Sequence, residues 1–282
     1  MITIGLAGWG DHELLYAPGT RAQDKLKYYS RYFRVVEVDS SYYAIHKPEL
    51  FERWAELVDD GFSFVVKAYQ GMTGQANKLY SDDETAAMYQ GFKASIQPLL
   101  AAGKCRAVLF QYPPWFDCSR ENVRKLRVDK ARMGDIPLAL EFRHQSWFDG
   151  EMREKTLAFM RQEGWMHSVC DEPQVAPGSV PIVPIATHDG ETIVRFHGRN
   201  ASGWVSNGSP NWREVRYLYR YSEAELLEWR DRLLALERGS KHVSVIFNNN
   251  SGGDAAENAR RMLELLGEKL HPLPPQQLDL FE

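Results

Sequence analysis

Ile193-Val194-Arg195-Phe196-His197-Gly198-Arg199 couples a short β-branched run to an arginine and a histidine two residues apart. Side chains alternate across a strand, so Arg195 and His197 share one face while Val194 and Phe196 share the other. The apolar residues suit a buried strand. A guanidinium near its end suits one only if partners meet it there. The stretch reads as a buried strand whose C-terminal end carries polar chemistry.

The same form recurs along the chain. Ile2 to Gly8, Val35 to Asp39, Phe62 to Lys67, Ala107 to Gln111, Leu138 to Phe142, Met166 to Cys170, Ile193 to His197 and Val243 to Phe247 are short, apolar, and β-branched or aromatic. Strands buried on both faces look like this. Helical spacing separates most of them, over Arg21 to Tyr32, Pro48 to Leu57, Asp82 to Leu100, Met152 to Gln162, Glu223 to Leu236 and Ala255 to Leu270. Pro48 suits a first helical turn. Ser81 or Asp82 can cap the third helix, and Asp254 with Glu257 reads as a capping-box variant. Alternating strands and helices imply parallel strands joined by right-handed crossovers. About eight such units close a barrel. The predicted fold is α/β, a TIM-type (β/α)8 barrel over residues 1–270, followed by a proline-rich tail over 271–282.

Two segments depart from the pattern. Pro173 to Gly190 is proline-rich without helical periodicity, so a loop is expected in place of the helix after strand 6. Asn200 to Trp212 is polar and aromatic, and reads equally as a lid or as a surface excursion. No glycine-rich dinucleotide fingerprint follows any strand, which argues against a Rossmann alternative.

Composition narrows the function classes. The chain has 282 residues, 44% hydrophobic and 26% charged, with a net charge of -4. A strongly basic nucleic-acid footprint is absent, although local clusters are not excluded. Cys105, Cys118 and Cys170 are odd in number and lack metal spacing, so reduced structural thiols are expected. A strand-like run opens the chain with no signal peptide before it, and no apolar run approaches the ~20 residues of a membrane span. A cytoplasmic protein without a membrane partner is expected.

Barrel sites form where strand ends and the loops after them converge. Those ends carry Gly8-Trp9; Glu37, Asp39 and Ser40 with Tyr42 and Tyr43; Lys67; Gln111-Tyr112-Pro113-Pro114; Glu141-Phe142-Arg143-His144 with Ser146-Trp147; Asp171; Arg195 to Arg199; and Phe247-Asn248-Asn249-Asn250. Arg, His, Gln and Asn dominate, and these side chains make directional hydrogen bonds. A convergent polar pocket follows; the alternative is an ion-pair network that closes the barrel top upon itself.

In Gly8-Trp9, Val36-Glu37 with Ser40-Ser41-Tyr42-Tyr43, Phe62 to Lys67, Gln111-Tyr112-Pro113-Pro114-Trp115-Phe116, Glu141-Phe142-Arg143-His144 with Ser146-Trp147, Arg195-Phe196-His197-Gly198, and Phe247-Asn248-Asn249 with Asn258-Ala259, the chain resembles the domain-of-unknown-function 72 family, also called YecE-like. The match spans almost the whole chain. It implies a TIM-type barrel and supplies no settled activity. Three positions depart from the pattern. Ala7 stands where many members have serine, Asp39 stands where asparagine is usual and adds a second carboxylate, and Asn250 stands where members vary.

The candidate catalytic residues are Glu37, Glu141, His144 and His197, since a carboxylate beside a histidine can move protons near neutral pH. The candidate ligand-binding residues are Trp9, Lys67, Gln111, Arg143, Asp171, Arg195, Asn248 and Asn249, with Arg199 as a further cation. Guanidinium groups clasp phosphate or carboxylate bidentately. The Asn248-to-Gly253 loop enters a helix where barrels commonly hold phosphate, though Asp254 would compete for the same amides. Trp9, Tyr42, Tyr43, Tyr112, Trp115 and Trp147 could stack a base or sugar, or pack the rim. Glu37 with Glu141 would support glycosidase chemistry only at the right separation. Glu141, Asp171 and His197 could bind a divalent metal, but the surrounding cations disfavour it, so no cofactor is expected. Gln277-Leu278-Asp279-Leu280-Phe281 resembles the peptide by which bacterial proteins bind the sliding clamp; the alternative is that these residues pack on the barrel itself. The expected function is an enzyme acting on a phosphate-containing, nucleotide- or nucleic-acid-derived substrate. The rival is a non-catalytic binding module recruited to the clamp.

Overall fold

The computed structural model describes residues 1–175, 179–204 and 215–275. Eight parallel strands close on themselves in chain order. They are β1 (Ile2–Ala7), β2 (Val35–Val38), β3 (Ser63–Lys67), β4 (Cys105–Gln111), β5 (Leu138–Glu141), β6 (Met166–Asp171), β7 (Glu191–Phe196) and β8 (His242–Phe247). Closure runs through β1 and β8, where Ile2 pairs with Val243 and Leu6 with Phe247. Each strand falls on one of the eight apolar runs, within a few residues at its ends.

Gly5 permits that closure. A Cβ there would lie 1.9 Å from the Val35 carbonyl oxygen, closer than any side chain can approach, so β1 meets β2 only without one.

The helices are α1 (Lys25–Tyr29), α2 (Ser40–Tyr43), α3 (Pro48–Leu57), α4 (Asp82–Ala101), α5 (Arg120–Met133), α6 (Met152–Glu163), α7 (Ala201–Trp204), α8 (Glu223–Leu236) and α9 (Asp254–Leu265). α3 and α8 keep the boundaries that spacing predicts. Ser81 caps α4 in a full capping box with Glu84. The Arg21-to-Tyr32 pattern divides into a 3-10 turn, Ala22–Asp24, and the short α1. α5 was not legible from spacing. At α9 the expected capping box is absent. Gly253 is the N-cap, in the left-handed region at φ 79°, and makes no side-chain cap bond, so Asp254 is the first helical residue. The helix also stops short of Leu270, with Gly267 left-handed just after it. Among the described residues between β6 and β7 there is no helix, as expected. Within Asn200 to Trp212, Ala201–Trp204 forms one helical turn; the lid expected of the remainder lies outside the described residues.

Alternation sorts the side chains into two cores. Val35, Val65, Ala107, Leu109, Ala139, Met166, Ile193 and Ile246 pack together inside the barrel. The opposite strand faces and the helices form the larger outer core. The inner core is apolar at mid-height, and polar groups gather at both mouths. Leu273 of the tail packs on the outer core, while the clamp-like residues Gln277 to Phe281 lie outside the described residues. No described helix is long and apolar enough to cross a membrane.

Candidate functional site

Toward the C-terminal mouth, one layer above the apolar interior, the inward positions turn ionic. Glu37 of β2, Glu141 of β5 and Arg195 of β7 are each 1% exposed or less. Arg195 donates to Glu37 through Nε (2.8 Å) and Nη2 (2.5 Å), and to both Glu141 oxygens through Nη1 (3.0 and 2.8 Å). Glu141 pairs in turn with Arg143 Nε at 2.8 Å, and accepts from Gln111 Nε2 at 2.6 Å and from Ser168 Oγ at 3.1 Å. Arg143 Nη1 donates to Glu172 Oε2 at 2.8 Å. A chain of alternating charge thus runs Glu37, Arg195, Glu141, Arg143, Glu172. Desolvating an ion costs several kcal/mol, roughly, so such groups persist only when every one is paired and hydrogen-bonded.

His197 completes this floor. Its Nε2 lies 3.0 Å from Arg143 Nη2 and 3.3 Å from Arg195 Nη1, and Asn248 faces Nδ1 at 3.1 Å. Two guanidinium donors make Nε2 an acceptor, and a neutral ring with its proton on Nδ1 then requires the Asn248 amide to present its oxygen there. Burial and the same two guanidinium groups hold His197 well below the ordinary histidine range, hence neutral. Burial works to raise Glu141, but Arg195 and Arg143 outweigh it and keep that carboxyl well below its usual value. Glu37 and Glu172 behave oppositely: burial prevails over the nearby guanidinium, and each is pushed up to about 7.

Above the floor opens a cavity of about 520 Å³. Lys67, Arg143 and Arg216 supply its cations, Gln75, Gln111 and Asn248 its amides, and Tyr42, Tyr43, Trp115 and Tyr217 its rings; Asp39, Pro113 and Pro114 complete the wall. Lys67 Nζ lies 3.3 Å from Asp39 Oδ1 and 5.0 Å over the Tyr42 ring. Burial opposes its charge, yet Asp39 keeps the ammonium above its ordinary pKa. Tyr43 and Trp115 are 64% and 69% exposed at the mouth.

The structure therefore divides the expected site residues. Lys67, Gln111, Arg143 and Asn248 line the cavity, while Glu37, Glu141, Arg195 and His197 meet in the buried floor beneath it. The others lie elsewhere. His144 caps the 3-10 turn Gln145–Trp147, with Nδ1 accepting from Ser146 N at 3.2 Å and lying 2.7 Å from Ser146 Oγ. Asp171 follows the inward Cys170 and so points outward, where Arg199 and the Trp229 indole of α8 hold it. Asn249, beside the inward Asn248, donates to Tyr219 O and Asn258 Oδ1 and ties the β8–α9 loop. Trp9 packs edge-on against Trp54. Tyr112 is buried on Asp129, and Trp147 is stacked on Phe142 and Phe116. The start of α9, proposed from sequence as a phosphate cradle, is not part of the cavity wall. Sequence reasoning missed Glu172, Gln75, Arg216 and Tyr217. The arginine- and tyrosine-rich run Arg216-Tyr217-Leu218-Tyr219-Arg220-Tyr221 was the available signal for two of them.

Donor atoms of Glu141, Cys170 and His197 lie within 4.8 Å of one another. Asp171 is not among them. A divalent cation there would meet Arg143 and Arg195 on the same carboxylate, and burial keeps the Cys170 thiol protonated by pushing its pKa well up. The cluster fits a guanidinium floor and not a metal. For glycosidase chemistry, Glu37 and Glu141 would have to face the ligand, whereas both clasp Arg195 below it.

The sequence profile described as "Protein of unknown function DUF72" matches residues 3–278. Among named relatives, the UPF0759 protein YunF of Bacillus subtilis (strain 168) is 54% identical over 282 residues, 100% of both chains. The UPF0759 protein YecE of Escherichia coli (strain K12) is 29% identical over 157 residues, 56% of this chain and 54% of that one. Two solved structures are similar throughout. The DUF72 family protein EF0366 of Enterococcus faecalis V583 has a TM-score of 0.89 at 35% identity, with 99% of this chain and 100% of that chain covered. The DUF72 family protein TM1631 of Thermotoga maritima MSB8 has a TM-score of 0.78 at 32% identity, with 95% and 100% covered.

Proposed function

The chain belongs to the DUF72 family, and from that premise we propose that the cavity binds a phosphate-containing ligand of nucleotide or nucleic-acid origin and is the site of an enzymatic reaction upon it. The observation that carries this reading is the convergence of Lys67, Arg143 and Arg216 on a cavity walled by Tyr42, Tyr43, Trp115 and Tyr217. Guanidinium and ammonium groups pair with phosphate oxygens. Tyrosine and tryptophan faces take the flat ring of a base without regard to its sequence. Gln75, Gln111 and Asn248 offer both donors and acceptors to the rest of the ligand.

Beneath, the ionic floor keeps the Arg143 guanidinium from swinging. Glu141, Glu172 and His197 hold three of its edges, so its orientation is set before a ligand arrives. In this reading Glu37, Glu141, Arg195 and His197 position the anion-binding cations. The wall pair Lys67 and Asp39 handles protons: Asp39 takes one from an attacking water, Lys67 gives one to the departing oxygen, and transfer from Asp39 to Lys67 across their 3.3 Å contact restores both. Calorimetric titration with nucleoside monophosphates and short single-stranded oligonucleotides tests it. Lys67→Met and Arg216→Met should each weaken binding roughly tenfold, about 1.4 kcal/mol, and Lys67→Met should also abolish turnover of any ligand found to react. Unchanged affinity in both variants would sink the proposal.

A second reading, a non-catalytic module recruited to the bacterial sliding clamp, rests on Gln277-Leu278-Asp279-Leu280-Phe281. Purified clamp should retain the wild-type chain and release the Leu280→Ala/Phe281→Ala double variant; equal retention of both removes that reading.

A further inference from the structure

Glu172 is 1% exposed and stands between two openings. On the inner side its Oε2 accepts from Arg143, whose guanidinium reaches the ligand cavity. On the outer side it lines a second cavity of about 260 Å³, with Pro173, Gln174, Val175, Ile182 and Arg199 among its walls. Its Oε1 is fixed by the Val180 amide at 2.6 Å. The carboxylate therefore occupies one edge of a cavity cation from behind, as a bound anion would from the front.

Charge balance gives this position a consequence. Among the described residues, Arg143, Arg195, Lys67 and Arg216 surround the hollow, against Glu37, Glu141, Glu172 and Asp39. With all four carboxyls ionised, the basic and acidic groups match before any ligand is present. An arriving anion adds negative charge to a region where burial makes unbalanced charge costly. We infer that an anion entering this cavity is bound together with a proton from solvent, which Glu172 takes up as the ligand shares the charge of the fixed Arg143 guanidinium; this deepens, and rests on, the anion-pocket reading.

The surroundings of Glu172 agree. The charged groups acting on it most strongly are Arg143, Glu141 and Arg216, with the Cys170 thiol close by, while Arg199 and Glu228 border the outer cavity. Burial already lifts its carboxyl to about 7, Arg143 being the main force holding it down. Diverting that cation to a ligand raises it further, so protonation completes near neutral pH. The outer cavity supplies a path for the proton that the ligand does not block. Glu37 is the other buried carboxylate lifted to about 7, acted on by Arg195, Asp39 and Lys67, but its partner Arg195 lies below the cavity wall and does not face the ligand.

The test is calorimetry on the full chain with sulfate, which keeps its charge throughout this range, so that any proton taken up goes to the protein. Titrations near pH 7 in buffers of different ionisation enthalpy should reveal uptake of about half a proton per sulfate, and affinity should fall about fivefold from pH 7 to pH 8 and more steeply above. Glu172→Gln should abolish the uptake and flatten the pH dependence, with a thermal melt reporting its folding. Sulfate binding whose heat is independent of buffer overturns the proton-coupled step while leaving the anion pocket intact, and does so on the wild-type chain alone. Full uptake retained by folded Glu172→Gln overturns the assignment to that residue. Absence of both sulfate and inorganic phosphate binding at every pH overturns the anion pocket, and the inference with it.

Discussion

Arg195 is the residue on which the barrel's polar floor is built. Its fork donates to two carboxylates that come from strands on different sides of the barrel, and Glu37 is 158 residues away in sequence. Alternation told which way Arg195 would point, but not that its partners would consume it before a ligand could. The opposite mouth offers a simpler ionic position. Glu191, at the start of β7, is 2% exposed and pairs with Arg106 Nε at 3.4 Å, the N-terminal ammonium adding a weaker countercharge. Burial lifts its carboxyl to about 7. The folded-state value then exceeds the unfolded one, so stability is fully present below the unfolded pKa and is lost as pH rises through about 7. Glu191→Gln should match wild type near pH 4 and gain up to about 3 kcal/mol near pH 8, read from urea unfolding at both values. A variant no more stable than wild type at the higher pH would contradict this account of Glu191.

At the scale of elements, α5 shows what an apolar stripe can hide. Its buried residues are Leu126, Asp129 and Met133, so a carboxylate occupies the middle of the inward face. Spacing of apolar residues alone could not reveal that helix. Asp129 accepts from Tyr89 Oη at 2.7 Å, Tyr112 Oη at 2.5 Å and Lys125 Nζ at 2.8 Å, and so ties α4, the end of β4 and α5 together. Asp129→Ala should strand the Tyr112 hydroxyl, leave Tyr89 Oη only its longer bond to Met72 O, and cost about 3 kcal/mol in urea unfolding, with Asp129→Asn recovering part of it; a loss under about 0.5 kcal/mol would show that the joint contributes little. Where the pattern was unbroken, as over Pro48–Leu57 and Glu223–Leu236, helix boundaries followed from sequence directly. The capping box expected at Asp254 failed because Gly253, free to turn left-handed, takes the cap instead.

At the scale of the molecule, sequence alone determined the closed barrel, the count and order of its strands, and the mouth at which polar groups gather. Those features follow from local periodicity, which every short stretch carries within itself. The tertiary structure decided which polar groups meet a ligand. Lys67, Arg143 and Asn248 reach the cavity, Glu37, Glu141, Arg195 and His197 lie sealed beneath, and Asp171 and Asn249 turn to the helix layer. Period two assigns a face, but depth depends on how strands distant in the chain are staggered around the closed sheet. Whether an ion is spent on a neighbour or left for a ligand is settled only when those neighbours arrive.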